Sequence, residues 1–140
     1  MANGEWVDNG NSMTTSGLNR IINDRSVQIH RIDEDIERLE QAIRDIDHAI
    51  ECFRKSADDM QLLQGEVALV FKGEAAESFQ HKLVSFSDYC MKRIQHMESL
   101  KTNYSKQIAD LQRQKQIAQA LINRIRELLD KIRNIELRSK

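Results

Sequence analysis

Proline is absent from the 140 residues, and glycine occurs only five times, three of them (Gly4, Gly10, Gly17) within the first seventeen positions. A globular fold with many turns needs more punctuation than this. No stretch approaches about 18 uninterrupted apolar residues, so no membrane span is expected. Residues 1–18 are polar and contain no apolar signal core, so no cleaved secretory signal is expected either. The two cysteines, Cys52 and Cys90, lie 38 positions apart with no C-x-x-C and no nearby histidine pair, which argues against a zinc site. No serine or cysteine has a base at usable spacing, and no glycine-rich loop is available to cradle phosphate. The expectation is a protein that is not an enzyme and needs no cofactor.

What is present is charge and aliphatic residues. Charged residues make up 31 % of the chain and aromatic residues 5 %, close to the composition of coiled coils and long helices. The net charge is −1, which favours neither nucleic acid nor an acidic membrane. The halves differ, however. Residues 1–70 hold 14 acids and 7 bases, net −7, and residues 71–140 hold 8 acids and 14 bases, net +6. Halves of opposite sign favour a chain that folds back on itself, although two separately solvated faces would give the same counts.

The apolar residues are periodic. Ile29, Ile32, Ile36, Leu39, Ile43, Ile46, Ile50, Phe53, Ala57 and Met60 follow a strict 3-4 spacing, a heptad with a at 29 and d at 32. This predicts a first helix over residues 18–70, preceded by a flexible arm over residues 1–17 that carries the lone Trp6. Gly73 is the expected C′ glycine of that helix, with a turn over 71–73. A second helix is predicted over 74–138, opening on Glu74 and Glu77 in its first turn. Its seam reads Leu83, Phe86, Cys90, Ile94, Met97, Tyr104, Ile108, Leu111, Ala118, Ile122, Ile125, Leu129 and Ile132, with an apparent stutter after Tyr104 and Lys115 on the seam. The fold class is therefore all-α: a long antiparallel two-helix hairpin, a coiled coil that is expected to complete a four-helix bundle with a partner.

A fold about Phe71 sets residues whose numbers sum to about 142 level with each other. Cys52 then lies level with Cys90, but at heptad c, pointing away from the seam, so a disulfide is not expected. The second helix would outrun the first by about a dozen residues. That leaves Ile125, Leu128, Leu129, Ile132 and Ile135 as an uncovered stripe, a candidate partner interface unless the arm folds over it with Trp6. Four scattered histidines and Asp45-x-x-His48, half of a di-iron pattern, lack inward-facing glutamates, so no metal is expected. The basic run from Arg124 to Lys140 is interleaved with Glu127, Asp130 and Glu136 and reads as a solvated helical face rather than a nucleic-acid patch.

The corner is the most informative segment: Phe71-Lys72-Gly73-Glu74-Ala75-Ala76-Glu77-Ser78-Phe79. An aromatic packs at the tip, Gly73 turns the chain, Ala75 and Ala76 allow close approach, and Phe79 is expected to return to the core. Any tight helix–helix corner wants these residue types. This spacing also resembles the W-x-G turn of the small helical hairpins handled by type VII (ESX-type) secretion. Phe71 stands where the Trp would be, Gly73 matches the Gly, and Phe79 matches the apolar position six residues on. The long first helix and the total length look more like the YwqH-like proteins that accompany LXG-domain toxins. Two features depart from the pattern: Phe replaces Trp, and no Tyr-x-x-x-Asp/Glu tag follows, since Tyr89 is followed four later by Arg93 and Tyr104 by Ile108.

The resemblance implies a helical partner that pairs with the N-terminal domain of an LXG-type effector or with a second small hairpin. It also implies a cytoplasmic location, or export by a type VII route in which the partner supplies the signal. The alternative is a coiled-coil structural or adaptor protein, unrelated to secretion, that assembles as a homodimer.

Overall fold

The computed structural model describes the backbone of residues 2–139 and the side chains of residues 14–139. Two helices, α1 (Ala2–Val70) and α2 (Glu74–Arg138), pack against each other, and among the described residues there is no strand. The helical hairpin expected from the heptads is the fold. The backbone of α1 starts at Ala2 rather than near Leu18, so the segment read as an arm is helical from its second residue. The side chain of Trp6 lies outside the described residues.

By its contacts the chain forms two compact units. One joins Met1–Glu37 to Ile108–Lys140, and the other is Arg38–Gln107. In each unit a stretch of α1 lies antiparallel to a stretch of α2, and the core is a single seam. In the first unit it is built on Ile32, Ala118, Ile122 and Ile125, and in the second on Ile50, Ala57, Val67, Leu83, Cys90 and Ile94, all buried. No buried residue is polar or charged among those described. A two-helix layer can cover only one stripe of each helix, so the core is thin and most other side chains meet water.

All ten predicted heptad positions of α1 are buried or half-buried. The repeat continues outward to Thr15, Leu18 and Ile22 on one side and to Gln64 and Val67 on the other. Arg25, at a d position, is the exception: it is exposed, and its guanidinium donates to the Gln28 side chain at 2.8 Å.

The seam of α2 differs from the one expected. Its inward positions are Ala76, Gln80, Leu83, Ser87, Cys90, Ile94, Met97, Lys101, Tyr104, Ile108, Leu111, Lys115, Ala118, Ile122, Ile125, Leu129 and Ile132. This is an unbroken 4-3 repeat, so there is no stutter. The expected irregularity arose because Gln80, Ser87 and Lys101 are invisible to a hydrophobic pattern. Phe86, placed on the seam by its chemistry, is 45 % exposed, and Ser87 points inward in its place.

Candidate functional site

The turn is built from the ends of both helices. The Phe71 N–H donates to the Val67 carbonyl at 2.9 Å, the last helical bond of α1. Lys72 and Gly73 then redirect the chain. Gly73 has φ of 113°, a region that side chains with a Cβ rarely enter. Its carbonyl accepts the Glu77 N–H at 3.0 Å, which starts α2. Gly73 is thus the N-cap of α2 rather than the C′ residue of α1. The acids Glu74 and Glu77 follow in the first turn, where the helix dipole favours them.

Of the turn residues, Phe71 is 62 % and Phe79 is 44 % exposed. Phe79 therefore does not return to the core. The half-buried Ala76 and Gln80 and the buried Leu83 fill that role, one position round the helix. Instead Phe71 and Phe79 wall a pocket of about 340 Å³ with Val67, Ala75, Ala76 and the stem of Lys72. The motif brings its two aromatics and Gly73 together, but facing solvent. Leu69 and Val70 are also exposed beside them. The next stretch of α2 carries an aromatic pair, Phe86 and Tyr89, with centroids 6.2 Å apart, and the Arg93 guanidinium lies 6.0 Å from the Tyr89 ring.

The candidate stripe near the C-terminus behaves differently. Ile125 is buried, Leu129 and Ile132 are half-buried, and Leu128 and Ile135 are exposed. The overhang expected for α2 is absent because α1 has 69 residues and α2 has 65. Ile125, Leu129 and Ile132 are seam residues of the hairpin itself. Only Leu128 and Ile135, one position off the seam, are turned outward.

Ion pairs that tie α1 to α2 were not anticipated. In the first unit the Lys115 ammonium pairs with Asp33 at 2.7 Å. In the second, Lys101 donates to Asp47 at 2.6 Å and Arg54 donates to Glu98 at 2.9 Å. Asp33, Asp47 and Arg54 are all e positions of α1, and Lys101 and Lys115 are seam a positions of α2 two heptads apart. Each lysine lies six positions further along α2 than a fold about Phe71 predicts. Side chains lean toward the N-terminus of their own helix, so in an antiparallel pair the two leans add and account for most of this displacement. The signal for these pairs was present in the sequence: a 14-residue interval between two acids, matched by the same interval between two lysines.

Cys52 is exposed and Cys90 is buried, and both are free thiols. Among the described residues no three His, Cys, Asp or Glu side chains converge in a way that could hold a metal ion. No described helix is long and apolar enough to cross a membrane. Comparison of the chain with protein-family models, with curated proteins and with solved structures gives no match.

Proposed function

We propose that this chain is a non-enzymatic pairing protein that completes a helical bundle with another helical protein. The observation that carries this reading is the turn. Two aromatics, Phe71 and Phe79, stand exposed at an apolar pocket where the two helices meet, and two aliphatics, Leu69 and Val70, are exposed at the adjoining end of α1. Exposed apolar clusters of this kind mark interaction surfaces more often than chemistry. The resemblance of the Phe71–Gly73–Phe79 spacing to the W-x-G turn supports the finer reading, in which the partner is the helical N-terminal domain of an LXG-type effector or a second small hairpin and the pair is presented to a type VII secretion machine.

The test is co-expression with the helical N-terminal domain of LXG-type toxins. The expected result is a co-purifying complex that Phe71→Ala with Phe79→Ala weakens at least tenfold while helicity by circular dichroism is unchanged. Failure to form a complex with any such domain would sink the secretion reading. A second reading, a coiled-coil structural or adaptor protein unrelated to secretion, is favoured by the regular 3-4 repeat of both helices. It predicts self-assembly and no complex with an LXG domain.

A further inference from the structure

The two sides of the seam are chemically unlike. On the e side, α1 presents Asp33, Glu40, Asp47 and Arg54, and α2 presents Glu98, Arg126 and Arg133, with Val84 and Met91 the exposed apolar residues of this side near the turn. This side carries the ion pairs between the helices. On the g side the residues are apolar, small or neutral with two exceptions, Asp35 and Arg93. In the unit that holds the termini, the g positions Ile21, Leu121, Leu128 and Ile135 are exposed. There, Gln28, Gln114, Ile117, Ala118 and Leu121, with Arg25 at the edge, line a groove of about 230 Å³ between the helices. In the unit that holds the turn, Leu63, Val70, Phe79 and Phe86 are the exposed apolar g positions. A hairpin needs only one side sealed by its own charges, so the g side is the open one.

Two charge relationships point to what covers it. The first is the overall balance, −7 in residues 1–70 against +6 in residues 71–140. A second hairpin laid g side to g side can be related by a two-fold axis along the helices, which sets α1 beside the partner copy's α2. A two-fold axis across the helices would instead set α1 beside α1, acid against acid.

The second relationship is local. The pairs Asp33–Lys115 and Asp47–Lys101 show which long side chains reach each other between antiparallel helices, and in both the residue numbers sum to 148, against 152 for Arg54–Glu98. At heptad c, the rim of the g side, Asp24 with Arg124 and Glu66 with Lys82 give that same sum, the first pair in one unit and the second in the other. All four are exposed. An axis along the helices preserves height, so it brings Asp24 to the copy's Arg124 and Glu66 to the copy's Lys82. Like-charge juxtaposition disfavours the other arrangement.

We infer that in each unit the g side is an interface for the same unit of a second copy of this chain, with α1 of each copy beside α2 of the other. This rests on the reading of the protein as a pairing module and names its first partner. In the unit Arg38–Gln107 this pairing brings the aromatic turn residues of both copies to the same end of that unit, available to a further helical protein.

The test uses the full chain in a Cys52→Ser background, since Cys52 is exposed and Cys90 is fully buried. Light scattering should give twice the chain mass at micromolar concentration. Mixed chains carrying Asp24→Cys and Arg124→Cys separately should be joined by a short thiol crosslinker only when both are present. Leu121→Asp with Leu128→Asp should raise the dimer dissociation constant at least tenfold with helicity retained. If that variant unfolds, Glu66→Lys should weaken the dimer severalfold and Lys82→Glu on the same chain should restore it. A monomer at all concentrations overturns the inference, as does a dimer without the 24–124 crosslink. A monomer that still takes up an LXG-type domain would overturn this inference alone. A crosslinked dimer that binds no such domain would overturn the secretion reading alone.

Discussion

Lys101 occupies an inward a position of α2 and reaches out of the seam to donate to Asp47 of α1 at 2.6 Å. Both side chains remain nearly half exposed, so the pair is solvated and screened. Pairs of this kind contribute about 0–1 kcal/mol. The apolar neighbours on the seam do more for stability. The pair fixes the register together with Asp33–Lys115, because a slip of one heptad one way would set Lys101 against Arg54 and the other way would set Lys115 against Ser26.

Replacing that lysine should therefore stabilise the hairpin. Lys101→Leu adds apolar area to a half-buried site and leaves Asp47 in contact with water. We expect a gain of roughly 1 kcal/mol, seen as a rise of a few degrees in Tm. Amide exchange in the middle of both helices should broaden as neighbouring registers become accessible. A fall in Tm would show that the ion pair outweighs the added burial.

Gly73 and Gly65 should respond in opposite directions. Gly73 sits at φ of 113°, so Gly73→Val strains the backbone although nothing lies within 4 Å of the added Cβ; about 1–2 kcal/mol of stability should be lost. Gly65 lies inside α1 with open space around it, and Gly65→Ala should stabilise by about 0.5–1 kcal/mol. Urea unfolding of both variants checks the pair. Equal midpoints would mean that Gly73 is not under conformational constraint.

Core truncations should separate the seam from the flank. Ile122 is only 2 % exposed and Ile117, five positions earlier, is 65 % exposed. Ile122→Ala should lose about 2–5 kcal/mol, and Ile117→Ala should stay within about 0.5 kcal/mol in the monomeric state. A large loss at Ile117 in dilute protein would contradict the seam assignment.

Thiol labelling gives a check that needs no substitution. Exposed Cys52 should react readily in native buffer, and buried Cys90 should react only as the hairpin opens. Adding denaturant should bring the second equivalent of label. Two fast equivalents in native buffer would show that the seam at Cys90 is open.

The heptad of α1 was legible because its inward positions from Ile29 to Met60 are all apolar, and an apolar 3-4 repeat has one structural meaning. The seam of α2 was only partly legible. Lys101, Ser87 and Gln80 occupy inward positions, and a pattern of apolar residues skips them; Phe86 was drawn onto the seam by its hydrophobicity. The start of α1 was hidden by the Asn-, Ser- and Gly-rich composition of residues 1–17, which has low helix propensity. The turn lies between Val70 and Glu74 as the glycine indicated, but Phe79 was expected to pack inward and is exposed.

By itself the sequence determined that this protein is two long helices joined once, between Val70 and Glu74. The reason is local: periodicity, the absence of proline and one glycine placed for a positive φ are properties of neighbouring residues. Only the tertiary structure decided which residues are level across the hairpin, and so which side is closed by Asp33–Lys115 and Asp47–Lys101 and which side is left apolar. Register depends on side-chain lean and on the turn's true position, which no single-helix pattern contains.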